Sequence, residues 1–387
     1  MSATPSPPHD PRYQALDAWR GVACLMVVLH HAGFAVLWGE ASGSSAGDWA
    51  RWGVVWPLRQ MDLGVPLFFV ISGYCIAASL EGHRRRGASS WAFLGRRVKR
   101  IYPPYWATLL VFALTTWGLD RLGLHWLHDG GHSLELDSPF DLNRAQWLGN
   151  LTLTETWRPL AWRGPPASVF TRVGWSLCYE EQFYLVSFLV LLVAPRRLFG
   201  VLAAATGLIV GYRLFAFDSG WLAGIDGAFP YLWHEFAVGL GVYWRLVRAD
   251  SAQGRRAIEG LLVALLGVGV ATGYRETAVA GGFGLALIAL RGWDRPAGWL
   301  GWVGRRSYSL YLIHLPVCTV GIEWLYGLGI VEFWPRVLVT IPLVSAASVL
   351  AGWAFFEGVE SRFLNAPASR RLPGARPLAG ETAGPPS

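Results

Sequence analysis

Residues 18–38, AWRGVACLMVVLHHAGFAVLW, form an apolar run of 21 residues near the start of the chain. As an α-helix, such a run is long enough to cross the hydrocarbon core of a bilayer, which is about 30 Å thick. The preceding segment is polar and rich in Pro, and it lacks the apolar core and cleavage site of a signal peptide. We therefore expect residues 18–38 to be retained as the first transmembrane helix.

Nine further apolar segments follow this first one. Hydrophobic residues make up 53% of the chain and charged residues only 15%, whereas soluble proteins contain about 25% charged residues. Helices satisfy their own backbone in lipid, and the sequence shows no ten-residue alternating pattern of a β-barrel. We therefore predict an all-α fold, a polytopic membrane helix bundle with about ten transmembrane helices. The predicted segments are 18–38, 61–80, 102–119, 176–194, 198–216, 229–247, 257–273, 276–291, 308–327 and 336–356.

The basic residues predict how the bundle lies in the membrane. With a cytoplasmic N-terminus and ten spans, 23 of the 33 Lys and Arg face the cytoplasm, in agreement with the positive-inside rule. We expect a multi-pass protein of the plasma (inner) membrane, with both termini cytoplasmic and residues 120–175 as an external loop over the bundle. This topology accounts for the net charge of +7, so nucleic acid is not expected as a partner. One membrane domain, 16–360, is predicted between disordered tails at 1–15 and 361–387.

Ionisable groups inside apolar spans are costly, so each of them is a candidate functional residue. On a helix, Arg20 and His31 are separated by about 16.5 Å of rise and only about 20° of rotation, which places them on one face. His30 is turned about 80° away from Arg20. His31 lies near the middle of the span and could act as a general base, because the ordinary pKa of histidine is near 6.5. The alternative is a packing residue bonded to a neighbouring helix.

Three other segments carry candidate residues. Arg97 and Arg100 share a helix face at the start of the third segment, where they either anchor the topology or clamp the phosphates of a nucleotide-bearing cofactor. Glu180 and Glu181 point about 100° apart, so only one of them can face a given site. In the ninth segment, Tyr308, Tyr311 and His314 stack on one face of the helix. In the second segment, Ser72 serves either helix packing or chemistry. The four Cys show no metal-type spacing, and no metal is expected.

Taken together, these stretches resemble the acyltransferase-3 family of integral membrane O-acyltransferases. The resemblance implies a ten-helix fold that moves an acyl group, commonly acetyl from acetyl-CoA, to a hydroxyl group. The acceptor would be a sugar of a cell-envelope glycan or exopolysaccharide, or a secondary metabolite. The matching stretches run from Leu16 to His31, from Gly64 to Tyr74, from Arg96 to Tyr105, from Trp175 to Tyr184 and from Ser307 to His314.

The resemblance also suggests roles for individual residues. It puts His31 in the catalytic position, and it puts Glu180 in the acidic position of a Trp-Ser-Leu motif. Pro66 stands where the family usually has Asp. We assign His31, Glu180 and His314 as candidate catalytic residues, Arg20, Arg97 and Arg100 as candidate residues for binding acetyl-CoA or another acyl-CoA, and Ser72, Tyr308 and Tyr311 as candidate residues for binding the substrate.

Two questions stay open from the sequence. Buried His, Glu and Arg also mark substrate and proton pathways, so a polytopic transporter is the alternative function. It would be favoured by two matching halves with Gly- or Pro-broken helices, which the sequence does not show. For acyl transfer, either Arg20 or a Tyr hydroxyl could stabilise the developing oxyanion, and the acceptor could enter from either side of the membrane.

Overall fold

The fold was determined as a computed structural model, which describes residues 15–37, 49–157, 169–216, 227–291 and 298–364. Within these ranges the regular structure is entirely helical, with no strand, as the sequence predicts. The predicted terminal tails lie outside the described residues, apart from Ala15 and residues 361–364 at their inner edges.

The helices follow the predicted segments closely. Each of the ten segments overlaps a helix, although the helix of the third segment already begins at Ser90. Short helices outside the predicted segments include Trp49–Arg59, Arg144–Leu151 within the predicted external loop, and Gly298–Arg305. In chain order the helices are α1 Ala15–Leu37, α2 Trp49–Arg59, α3 Gly64–Arg85, α4 Ser90–Arg121, α5 Arg144–Leu151, α6 Gly174–Val193, α7 Leu198–Ala216, α8 Trp233–Val247, α9 Ala252–Thr272, α10 Arg275–Ala289, α11 Gly298–Arg305, α12 Ser307–Gly327 and α13 Ile341–Gly358.

Five helical stretches among the described residues are long and apolar enough to cross a membrane. By contrast, α8 and α10 have only 15 residues each, fewer than the 17 or so that a full crossing needs. The chain is therefore an integral membrane helix bundle, and the count of ten spans stays a prediction. The five stretches are Ala15–Leu37, Trp49–Arg85, Gly174–Val193, Ser307–Gly327 and Phe333–Gly358.

Helix α1 lies at the centre of the bundle and packs against α3, α11 and α12. Small residues allow the closest of these contacts, because a side chain at Gly304 would collide with the carbonyl of Asp17. Gly73 of α3 makes a similar approach to Phe236 of α8. Gly73, in the second predicted segment, therefore serves helix packing, whereas the side chain of its neighbour Ser72 points in another direction.

The predicted external loop is folded onto the end of α12. Glu323, buried near the C-terminal end of this helix, accepts hydrogen bonds from the backbone N–H of His132 at 2.6 Å and from Ser133 at 3.0 Å. The His132 ring lies 2.9 Å from the same carboxylate and stacks on Tyr326. Within the loop, Asn143 opens α5 with a reciprocal capping box. The loop therefore closes the end of α12 that is opposite to Ser307.

Candidate active site

A cavity of about 410 Å³ lies between α1, α3, α4, α6, α11 and α12. Seven of the nine residues proposed from the sequence line it, although they come from five different segments of the chain. These seven are Arg20, Ser72, Arg97, Arg100, Glu180, Tyr308 and Tyr311.

Arg20 is held at the cavity wall by two contacts. Its guanidinium lies 3.3 Å from the carboxylate of Asp17, one turn earlier on α1, and it donates to the thiol of Cys75 at 3.0 Å. Cys75 is the partly exposed member of the four free cysteines, and the other three are buried. Arg20 thus joins α1 to α3 with its charge at the cavity.

Glu180 projects into the cavity, whereas Glu181 does not. One oxygen of Glu180 accepts hydrogen bonds from Ser72, at 2.8 Å, and from the hydroxyl of Tyr184. Glu181 is buried on another face of α6, where it accepts from Tyr102 at 3.3 Å. The expectation that only one of the two carboxylates faces the site is confirmed. Two donors on one oxygen fix the position of the Glu180 carboxyl group.

Arg97 and Arg100 lie one turn apart on α4, which has already begun at Ser90, so their shared face is also confirmed. The Arg97 guanidinium lies over the ring of Tyr184 at 4.8 Å from its centroid, and over Phe93 at 5.6 Å. Cation–π contact of this kind leaves the N–H groups of Arg97 able to bind an anion.

Helix α12 supplies the far wall of the cavity. The hydroxyl of Tyr308 donates to the carbonyl of Ile101 at 2.8 Å, and that of Tyr311 donates to Val173 at 3.0 Å. Ser176 lies 2.6 Å from the Tyr311 hydroxyl. The ring of Phe68 packs edge-on to Tyr311 at 5.8 Å, and these two rings form the apolar end of the cavity.

The two candidate catalytic histidines contact each other just beyond this apolar end. His314 Nε2 lies 3.3 Å from His31 Nδ1, and the His314 ring is 5.8 Å from Tyr311. Neither histidine is part of the cavity lining itself. The structure therefore brings His31 and His314 together across 283 residues, but places them beside the cavity, one aromatic ring away from it.

The hydrogen bonds assign the tautomers of the pair. His314 Nδ1 faces the carbonyls of Tyr311 at 2.8 Å and Leu310 at 3.2 Å, so it must carry the proton, and Nε2 is then an acceptor. His31 Nδ1 faces that acceptor and the Val27 carbonyl at 2.9 Å, so it too must donate. The lone pair of His31 is therefore on Nε2. His30 instead faces the carbonyl of Leu58.

The family model of an acyltransferase domain matches residues 13–356, nearly the whole of the described bundle. The chain belongs to the acyltransferase-3 family. The matched region contains every candidate residue proposed from the sequence.

Two relatives of this acyltransferase-3 chain are informative. A protein of Bacillus subtilis (strain 168), provisionally named a peptidoglycan O-acetyltransferase, is 25% identical over 86% of this chain and 52% of its own length. A protein of Komagataeibacter xylinus, provisionally named a membrane-bound transacylase, is 28% identical over 80% of this chain and 74% of its own. The chain thus spans about half the length of the Bacillus relative. No solved structure matches it.

The acyltransferase-3 cavity also contains charged residues that the sequence did not single out. Glu360 is buried and accepts from the backbone N–H of Ser309 at 3.1 Å and from its hydroxyl. Burial raises the pKa of the Glu360 carboxyl, although the bonds from Ser309 and the charge of Arg100 oppose the shift. The only signal in the sequence is a carboxylate directly after an apolar span. The other such residues are Asp17, Arg305 and Arg306.

Proposed function

We propose that this protein is a membrane-embedded O-acyltransferase that moves an acyl group, most simply acetyl, from acyl-CoA to a hydroxyl of a cell-envelope glycan or a secondary metabolite. One observation carries the proposal. A single cavity presents Arg20, Arg97 and Arg100 along one part of its wall, and its apolar end leads through Tyr311 to a pair of contacting histidines. Cations suit the phosphates of the donor, and the imidazole pair suits the proton that the hydroxyl must lose.

His31 is the general base in this mechanism. Its Nε2 takes the proton of the acceptor hydroxyl while the oxygen attacks the thioester carbonyl, and the carbon–sulfur bond then breaks. The proton passes from His31 to the departing CoA thiolate, so the products are an ester and free CoA. His314 is a positioning residue, since its Nε2 accepts from His31 Nδ1 and so helps keep the base lone pair on the opposite nitrogen.

The oxyanion of the tetrahedral intermediate needs a donor within reach. Tyr311 lies at the apolar end of the cavity beside the histidines, but its single O–H donates to the Val173 carbonyl in the structure. Arg20 is engaged by Asp17 and Cys75 and lies about 16.5 Å of helix rise from the level of His31. We therefore favour Tyr311 for this role, with its O–H turned from Val173 to the oxyanion. Ser72 and Tyr184 fix the Glu180 carboxyl group in the cavity, where it would help to orient the donor.

The family of the chain favours acyl transfer over the transporter alternative. The name of the Bacillus relative contains both the group moved and a glycan acceptor, and this supports an envelope sugar as the first acceptor to test. Because the donor is cytosolic, we propose that the arginine-rich part of the cavity faces the cytoplasm. Both termini of the protein then also lie on the cytoplasmic side. The loop 120–175 then lies on the opposite side.

The decisive experiment compares cells that lack the protein with cells that carry wild type, His31→Gln or His30→Ala. Mass spectrometry of envelope glycans and metabolites should reveal an acyl mass that disappears on deletion. We expect wild type and His30→Ala to restore it and His31→Gln to leave it absent at equal membrane levels of protein. If deletion removes no acyl mass from either class of molecule, the proposal is wrong.

Donor binding can be measured without any acceptor. Cys75 contacts Arg20 inside the cavity, and Cys24, Cys178 and Cys318 are buried. A thiol reagent should therefore label purified protein mainly at Cys75, and acetyl-CoA should slow that labelling. Labelling of Cys75→Ser protein serves as the blank. Equal labelling rates with and without saturating acetyl-CoA would contradict binding of the donor in this cavity.

A further inference from the structure

The cavity contains more positive charge than its own carboxylates neutralise. Its lining includes five arginines and three carboxylates. Each carboxylate already has partners within the described residues: Asp17 pairs with Arg20, Glu180 accepts from Ser72 and Tyr184, and Glu360 accepts from Ser309. The carboxylates of the lining can therefore balance at most three of its five positive charges.

Three of the five arginines are engaged by protein groups. Arg20 contacts Asp17 and Cys75, and Arg97 stacks on Tyr184. Arg306 pairs with Glu357 at 3.0 Å and lies between the rings of Trp302 and Phe356.

Arg100 and Arg305 differ from these three. In the described part of the chain, neither of them forms a hydrogen bond, an ion pair or a ring contact, although both line the cavity. Arg305 is exposed, while Tyr311 at the apolar end is buried, so Arg305 marks the mouth of the cavity. Its position is fixed by the close contact of Gly304 with the backbone of Asp17, which holds the end of α11 against α1. Two arginines that line the same cavity, and that form no hydrogen bond or ion pair with a described residue, offer their N–H groups to an anion.

We infer that Arg305, together with Arg100, binds the 3′-phosphate of the donor nucleotide and makes the enzyme select acyl-CoA over 3′-dephospho-acyl-CoA. This inference rests on the proposed function, because it takes the donor to be an acyl-CoA. With the thioester at the apolar end beside Tyr311, the nucleotide end of the donor must lie toward the mouth. A phosphate monoester carries close to two negative charges at neutral pH, which matches two arginine side chains that hold no carboxylate by a hydrogen bond or an ion pair. Glu360 acts on Arg100 only through its charge.

Selectivity for the 3′-phosphate is the quantity to measure. Purified protein in lipid nanodiscs is titrated with CoA and with 3′-dephospho-CoA, and affinity is read from protection of Cys75 against alkylation. We expect wild type to bind CoA about 10- to 100-fold more tightly, as loss of a charge-assisted hydrogen bond implies. Arg305→Ala should weaken the binding of CoA by a similar factor and leave the affinity for 3′-dephospho-CoA nearly unchanged. Arg305→Lys should restore part of the difference.

Arg256→Ala is the matched control, because Arg256 is exposed on α9 and lies outside the cavity. It removes the same charge and should leave the affinity for both ligands unchanged. Wild type that binds both ligands equally, or an Arg305→Ala protein that loses both equally, would overturn the assignment to the 3′-phosphate. Wild type that binds neither ligand would instead contradict the proposed function itself, so the two failures are distinguishable.

Discussion

Replacing His31 by Gln tests whether this imidazole takes a proton. Gln fills much of the same volume and can still hydrogen-bond to Val27 or His314, but it cannot accept a proton at neutral pH. A positioned general base contributes about 10²- to 10⁴-fold to the rate. We therefore expect kcat to fall by about this factor in His31→Gln, with unchanged expression, membrane insertion and KM for the donor.

His314 provides a comparison within the same pair. Its contact with His31 is one neutral hydrogen bond of 3.3 Å. Such a bond contributes about 0.5–1.5 kcal/mol, or about 2- to 13-fold in rate. We expect His314→Gln to lose activity within this range, because it disturbs the orientation of the base and leaves the base itself in place. His30→Ala should stay close to wild type, since His30 faces Leu58 instead.

The assay is the acceptor-dependent release of free CoA by purified protein in nanodiscs, with protein amounts matched. Donor titrations separate kcat from KM, and protection of Cys75 confirms that each variant still binds the donor. Activity within tenfold of wild type in His31→Gln would refute the assignment. If His314→Gln were instead the variant whose kcat fell more than a hundredfold, His314 would be the general base and His31 the positioning residue.

Three further predictions concern the donor, the topology and the loop. Arg97→Ala or Arg100→Ala should raise KM for acyl-CoA by about 10- to 100-fold, with partial rescue by Lys, whereas an unchanged KM would reduce these arginines to topology anchors. Reporters fused at Ser2 and after Arg371 should give cytoplasmic signals and one inserted near Asp141 an external signal, and reversal of any one of them would contradict the predicted topology. Glu323→Gln should loosen the loop that His132 and Ser133 anchor. Trypsin should therefore cut the Glu323→Gln protein at the exposed Arg144 faster than it cuts wild type or the exposed-site control Glu332→Gln. Equal cleavage rates would show that the Glu323 carboxylate does not hold the loop.

The parts of the site that the sequence predicts are those set by the geometry of a single helix. The rise and rotation per residue place Arg97 and Arg100 on one face of α4, and they separate Glu180 from Glu181 on α6. The apolar segments are equally local, because a helix that crosses lipid must carry its own run of apolar residues. The number of spans depends on more than hydropathy, because α8 and α10 have only 15 residues each and the packing of neighbouring helices decides how such short helices lie.

Contacts between helices could not be predicted from the sequence. Nothing in the spacing of His31 and His314 shows that the two rings meet, because their contact depends on how α1 packs against α12. Arg305 looks like one more basic residue near the end of a span until Gly304 brings it against α1. Glu360 stands outside the predicted motifs, and only its hydrogen bonds to Ser309 place it at the site.

The separation between Arg20 and His31 constrains the shape of the donor. Both residues belong to α1, and eleven residues of helix put about 16.5 Å between their levels in the bundle. In a compact activated acyl group such as an acyl phosphate, the phosphate is bonded directly to the reacting carbonyl, so arginines at one level and a base at the other could not both engage it. In an acyl-CoA, the long pantetheine arm separates the thioester from the phosphates, and the apolar rings of Phe68 and Tyr311 lie along the intervening part of the cavity. Charge at one level and the histidine pair at the other therefore favour a long donor, which is the physical reason to expect acyl-CoA in this site.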